Sequence, residues 1–255
     1  MRNLTETVKQ LLIVNVLFFV GTMLLGSFDF SNPAFRLLSM SFPGNDNFQF
    51  WQILTHMFMH GSFMHIFFNM FALYSFGSVL ENIWGSKKFL FFYFSCGLGA
   101  IALHTGINYY FFNEGLTILA NSGFSKMDVL QILNEGKIDT RWQEIMTVSE
   151  FQNFTGAFLG NVVGASGAIY GLLVAFAFMF PNAELALMFI PVPIKAKYFV
   201  PVWMLLYDGF FGILGNSFMG IGQGVAHYAH IGGAVTGFIM VWYWKKNQFN
   251  DNRWN

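Results

Sequence analysis

Residues 162–180 read VVGASGAIYGLLVAFAFMF, a stretch without one charged side chain and with a serine set among glycines near its start. About 20 apolar residues is what a helix needs to cross a hydrocarbon core about 30 Å thick. A backbone in lipid must satisfy its own polar groups, so a segment of this kind reads as a membrane helix. Ser166 is then either a packing residue or a nucleophile held at membrane depth.

The rest of the chain settles the class. Of its 255 residues, 55% are hydrophobic, 20% aromatic and only 10% charged, against about 25% charged in soluble domains. Mean hydropathy is +0.50. Stretches 11–28, 63–80, 89–112, 198–219 and 226–244 share the character of 162–180. They predict an all-α membrane protein: one domain over 1–255, built as a bundle of six transmembrane helices. The stretch 11–28 is too long for a signal-peptide core, and the DFSNPAF that follows offers no small-residue cleavage site, so it reads as a retained span.

Thirteen basic and thirteen acidic residues cancel, leaving no basic excess for nucleic acid. Their placement sets an orientation. With the N-terminus inside, Arg2, Lys9, Lys87, Lys88, Lys195, Lys197, Lys245, Lys246 and Arg253 are cytoplasmic, and Arg36, Lys126, Lys137 and Arg141 lie outside. That imbalance predicts a multi-pass protein of the cell (inner) membrane with both termini in the cytoplasm. The one cysteine, Cys96, falls in the third stretch and reads as a small packing residue.

Three connections stand out. The first loop, 29–62, is aromatic and lightly charged, and is expected to lie partly in the membrane interface. The polar insertion 113–161 contains SKMD from Ser125 and TRWQ from Thr140, two capping-box patterns that predict two short helices. Residues 215–225, rich in glycine and carrying Phe218 and Met219, suit a flexible lid over the outer mouth of a site. Gly85, after ENIW, suits a helix C-cap.

Polar side chains at membrane depth are costly and tend to face the bundle interior. Here they form three groups: His56, His60, His65 and Asn69; Ser166 and Tyr170; His227 and His230. Gly167 and Gly171 are four apart, as are Gly233 and Gly237, which gives two helices small faces that allow close approach. Pressing these faces together brings the Ser166 hydroxyl to an imidazole, the base that a serine nucleophile needs. Tyr170, one turn on, is placed to stack on that ring. His65 and Asn69, an i, i+4 pair, are placed with the Ser166 N–H to donate to an oxyanion. His56 and His60 have zinc-helix spacing, but Met57 stands where a metallopeptidase helix carries its glutamate. No metal and no other cofactor is expected. Asp208, in mid-span, is a candidate for a transporter or proton pathway, but stands unpaired by basic residues in other spans and is expected instead to hydrogen-bond to a neighbouring helix.

The motifs GASG (164–167) with Tyr170, AHIGG (229–233) and HxxxN (65–69) resemble, in chain order, those of the rhomboid intramembrane serine proteases of bacterial type. The resemblance covers 51–112 and 162–244 and leaves out 113–161. It implies a six-transmembrane core and a serine endopeptidase that cuts transmembrane protein substrates in the bilayer by a Ser-His dyad. Ser166 would be its nucleophile and His230 its general base, with His65 and Asn69 as oxyanion donors. Gly164, Gly167, Gly171, Gly233 and Gly237 would be helix-packing glycines. His56 and His60 would be structural, and Glu81 a helix-packing acid. One position departs: Gln52 follows Trp51 where the family often has arginine. A second class shares the fold, the catalytically inactive rhomboid-like proteins that bind or escort membrane clients. The presence of both Ser166 and His230 speaks against it. The sequence leaves oligomeric state open.

Overall fold

The computed structural model describes residues 4–187, 190–204, 206 and 227–251. Helix α1 (Glu6–Leu25) has 20 residues, about 30 Å at 1.5 Å per residue. Its first turn is capped from another helix. The Glu81 carboxylate accepts the amides of Thr7 (3.1 Å) and Val8 (3.0 Å) and the hydroxyls of Thr5 and Ser86. An anion placed on the unpaired N–H groups of a helix start is stabilised by them and by the helix dipole.

The first loop holds α2 (Pro33–Leu38) and α3 (Gln52–Thr55), the latter running into a 3₁₀ turn at His56–Phe58. The second span is a rod made of α4 (Phe63–Ala72), a π-helical turn (Leu73–Gly77) and α5 (Ser78–Trp84). Gly85, at φ +75°, turns the chain into α6 (Ser86–Asn121).

Helix α6 corrects the expected third span. The prediction stopped it at 112 and began a loop at 113; the helix runs unbroken for 36 residues, about 54 Å. Exposed Tyr109 and Tyr110 fall about 33 Å along the axis from Lys88, as ring anchors do at a membrane–water boundary. The apolar run does end near there, but the helix does not. Phe112, Gly115, Leu116 and Leu119 keep one face buried against the insertion.

That insertion is a folded lobe. It contains α7 (Lys126–Asn134), α8 (Trp142–Ile145) and α9 (Val148–Leu159) around a core that includes Val129, Leu133, Trp142 and Phe154. Neither expected capping box forms. α7 does begin after Ser125, yet that side chain makes no cap, and α8 begins at Trp142 without one from Thr140. The box is at TVSE: Thr147 Oγ1 accepts the Glu150 amide, and Glu150 Oε2 accepts the Thr147 amide at 2.7 Å. These bonds from Thr147 hold the Glu150 carboxyl below the usual carboxylate range. They start α9, a helix that the sequence reading left out.

Helix α10 (Ser166–Met179) has 14 residues, about 21 Å, and so begins four residues later than the expected 162–180. Ahead of it Val162 is held in an isolated β-bridge, Met40 and Val162 exchanging both backbone hydrogen bonds, each 2.9 Å. After α10 comes a departure from the all-α expectation: β1 (Glu184–Leu187) pairs antiparallel with β2 (Ile190–Lys195), Glu184 opposite Lys195. Prolines 191 and 193 lack the N–H a helix interior requires and push their predecessors to extended backbone. Helices α11 (Ala196–Trp203) and α12 (His227–Asp251) complete the described fold. Residues 207–219 of the expected fifth span, with Asp208, and the expected lid at 215–225 with Phe218 and Met219 lie outside the described residues.

Among the described residues, Glu6–Leu25, Phe63–Trp84 and Ser86–Asn121 are long and apolar enough to cross a membrane, and α10 is a shorter apolar helix. The core is built where α6, α10 and α12 meet, with Tyr93, Cys96, Ala168, Leu172 and Val241 buried together. Cys96 packs there as a small residue, fully buried beside Gly171.

Candidate active site

Four glycines determine how closely α10 and α12 approach. A Cβ on Gly233 would overlap the Gly167 carbonyl, and one on Gly237 would lie 2.7 Å from Gly171 Cα. On the α6 side, Ala100 and Cys96 occupy the space that side chains on Gly167 and Gly171 would need. Contact at this range brings the ends of the two helices into register. Ser166 Oγ lies 2.9 Å from His230 Nε2. The Tyr170 ring stacks on the His230 imidazole, centroids 4.3 Å apart and planes within 11°. His227 stands edge-on to His230 at 6.2 Å.

Gly164 does not belong with the packing glycines, and the expectation for it is corrected. It precedes α10, at φ +121°, with its amide donating to the His56 carbonyl at 2.9 Å. A Cβ there would also meet His65 Nε2 at 2.7 Å. Positive φ and the close imidazole both demand glycine at this position.

The chain turns at Gly164, and Ser166 is the first residue of α10. The N–H groups of a first helical turn have no intrahelical acceptor. Their partial positive charge favours an anion formed at the serine. His65 approaches from the side. Ser62 caps α4 by accepting the His65 amide at 3.1 Å, and the Gly61 amide points at His65 Nδ1 from 3.4 Å. An Nδ1 that accepts leaves the proton on Nε2, the nitrogen against Gly164. Asn69 lies one turn further along the same face and is 6% exposed.

The upstream histidines are placed differently from one another. His56 Nδ1 bonds the Gln52 carbonyl at 2.9 Å, while its own carbonyl holds Gly164. His60 is fully buried, edge-on to His65 at 5.0 Å, with neither ring nitrogen hydrogen-bonded among the described residues.

Gln52 anchors the first loop although it stands where the family often has arginine. Fully buried, it accepts the Ser41 amide (3.1 Å) and donates to the carbonyls of Arg36 (3.2 Å) and Asn47 (3.0 Å). A neutral amide does this at a buried position without the desolvation cost of a charge.

Sequence reasoning passed over His104. It lies on α6 one turn beyond Ala100, the residue against Gly167, and bonds Asn108 through Nε2 at 3.0 Å. The i, i+4 spacing from Ala100 was the available signal.

Among the described residues no group of three or more histidine, cysteine or acidic side chains is arranged to hold a metal ion.

Comparison with known proteins agrees with these motifs. The family model described as the Rhomboid domain matches residues 47–247. Rhomboid protein 1, mitochondrial, of Saccharomyces cerevisiae is 25% identical over 194 residues, 76% of this chain and 42% of its own length. The human presenilin-associated rhomboid-like protein, mitochondrial, is 26% identical over 227 residues, 86% of this chain and 42% of its own. Rhomboid protease GluP of Bacillus subtilis is 38% identical over 55 residues, 21% of this chain and 11% of its own. The chain thus spans less than half the length of these curated relatives. With the family match extending over most of its residues, the chain belongs to the rhomboid family of multi-pass helical membrane proteins.

Proposed function

We propose that this chain is an intramembrane serine endopeptidase that cuts membrane proteins in or near their transmembrane segments. The observation that carries the reading is the 2.9 Å contact between Ser166 Oγ and His230 Nε2 at the start of a membrane helix. Relatives whose names include protease support it. The reading includes the bacterial-type six-span core and a cell-membrane location with cytoplasmic termini, both resting on the hydropathy and lysine pattern.

In the reaction, Ser166 Oγ attacks the scissile carbonyl carbon while His230 Nε2 takes its proton. The oxyanion is met by the Ser166 N–H, the His65 Nε2–H and the Asn69 amide. His230 returns its proton to the departing amine, leaving an acyl-enzyme at Ser166. Water, deprotonated by the same imidazole, then releases the acid. Tyr170 holds the ring through these transfers by stacking on its face.

A peptide bond inside an intact helix is shielded by its own turn, so the substrate must unwind locally. Unwinding is least costly where water reaches the backbone. Substrates are therefore single-pass proteins cut near the end of their span, beside Gly, Pro or polar residues.

The test is reconstitution of the purified chain in vesicles with such a substrate. Cleavage should persist in EDTA, because the dyad supplies its own base, and should fall sharply when the substrate's helix-breaking residues become Leu. Loss of activity on chelation, or equal cutting of the all-Leu substrate, would overturn the corresponding part of the mechanism.

The oxyanion assignment makes a graded expectation. Asn69→Ala and His65→Ala should each slow turnover by roughly 10²–10³-fold, as loss of one such donor does elsewhere, with KM little changed. Wild-type turnover in both would remove them from the site.

A further inference from the structure

The lobe at 113–161 is a large feature that the proposed mechanism does not use. Its position gives it work. The segment that enters the site, 160–165, leaves directly from the end of α9. On its way to Ser166 it is fastened to the first loop three times. Met40 and Val162 exchange both backbone bonds at 2.9 Å; Asn161 Nδ2 donates to Ser39 Oγ (3.2 Å) and Ser41 Oγ (3.0 Å); and the Gly164 amide bonds the His56 carbonyl.

The first loop is fastened in turn to the lobe. Phe42, 6% exposed, packs its ring against Phe112 of α6 and Phe158 of α9 at 5.1 and 5.7 Å. Asn45 Nδ2 donates to the Phe158 carbonyl at 3.2 Å, and the Asp46 amide to Asn134 Oδ1 of α7 at 3.3 Å. Loop, lobe and the 160–165 segment close a ring of contacts in which the loop touches both other members. A loop of this length would otherwise be free to move relative to α9, and its motion would pass to the backbone just before the serine.

We propose that the lobe is a brace that fixes the segment leading into Ser166 by clamping the first loop, and that Phe42 and Asn161 are its positioning residues. The proposal rests on the dyad reading of Ser166 and His230 and assigns the insertion a part in it. Neither side chain touches substrate. Each acts by keeping 160–165 still, so that the Ser166 Oγ and N–H meet the reacting carbonyl in one geometry. Small misplacement suffices to matter, since about 1 Å costs up to roughly 10²-fold in rate.

The experiment follows labelling of Ser166 by a small fluorophosphonate, which needs no protein substrate, as a function of probe concentration. Phe42→Ala and Asn161→Ala are compared with wild type and with Val129→Ala, a change in the same lobe core but on α7. All are measured well below their melting temperatures. Amide hydrogen exchange of residues 160–165 is read in parallel. Phe42→Ala and Asn161→Ala should lower the limiting labelling rate about 10- to 100-fold with the half-saturating concentration unchanged, and should speed exchange in 160–165. Val129→Ala should lower the melting temperature yet label at the wild-type rate. Wild-type rates and exchange in Phe42→Ala and Asn161→Ala would overturn the brace, as would equal slowing by Val129→Ala. Wild-type protein that takes no label would overturn the dyad reading itself, and the brace's part in catalysis with it.

Discussion

Replacing Ser166 with Ala should abolish peptide-bond cleavage, and His230→Ala should do the same, each with the bundle still folded. The serine is half-buried at the start of α10, and its hydroxyl is 2.9 Å from the imidazole that would activate it. Removing Oγ leaves no atom to form the acyl-enzyme. Removing the imidazole leaves the hydroxyl protonated and the amine without a donor. Loss of a residue that works as part of such a unit costs on the order of 10⁴–10⁶-fold in kcat, and the losses do not add. The double variant should thus be no slower than either single one. Ser166→Ala deletes one hydrogen bond and should alter stability by about 1 kcal/mol. His230→Ala also removes the ring under Tyr170 and should melt earlier. Cleavage of a single-pass substrate in vesicles, with helicity followed by circular dichroism, checks both. Turnover above a trace by either folded variant would end the assignment.

The second large effect is expected at Gly233. Its Cα faces the Gly167 carbonyl so closely that a single added methyl would overlap that oxygen. The obstacle is backbone within a helix, which cannot rotate away as a side chain can, so α10 and α12 must part. Lipid tails offer these helices no hydrophobic drive to re-pack, and van der Waals contact is much of what holds them. Overpacking of this kind costs about 1–3 kcal/mol, at times more. His230 is one turn from Gly233 on the same helix, so parting the helices also draws the imidazole from the serine. Gly233→Ala should therefore lower both the melting temperature and the activity measured below it. Gly21, in α1, is the control, since a Cβ there meets nothing within 4 Å. Gly21→Ala should be neutral or gain up to about 1 kcal/mol from better helix propensity. A Gly233→Ala protein as stable and active as wild type would mean that the close approach is not what sets the site.

The candidate site residues were legible because membrane depth makes polar side chains conspicuous. A serine, two histidine-bearing segments and two glycine pairs stand out in a chain that is 55% hydrophobic, and helical spacing alone puts Gly167 with Gly171 and Gly233 with Gly237. Boundaries were less legible. Hydropathy marks where lipid ends, near Tyr110, but hydrogen bonding marks where α6 ends, at Asn121. Capping boxes at Ser125, Thr140 and Thr147 look alike as four-letter patterns; only Thr147 has the backbone around it that lets both bonds close.

Gly164 and Gln52 show the limit from the other side. As letters, Gly164 is one more small residue in GASG, and Gln52 is a missing arginine. Gly164 is needed because an imidazole from α4 and a carbonyl from the first loop converge on it, and Gln52 because three backbone stretches of the first loop end around it. Local composition and period determined by themselves that this is a helical membrane protein, and which polar residues lie at the depth of a site, because the bilayer constrains every residue singly. What the lobe braces, where α10 starts and which glycine faces backbone were decided by tertiary structure alone. Those properties belong to pairs of segments far apart in the chain, and neither segment carries the pairing in its own sequence.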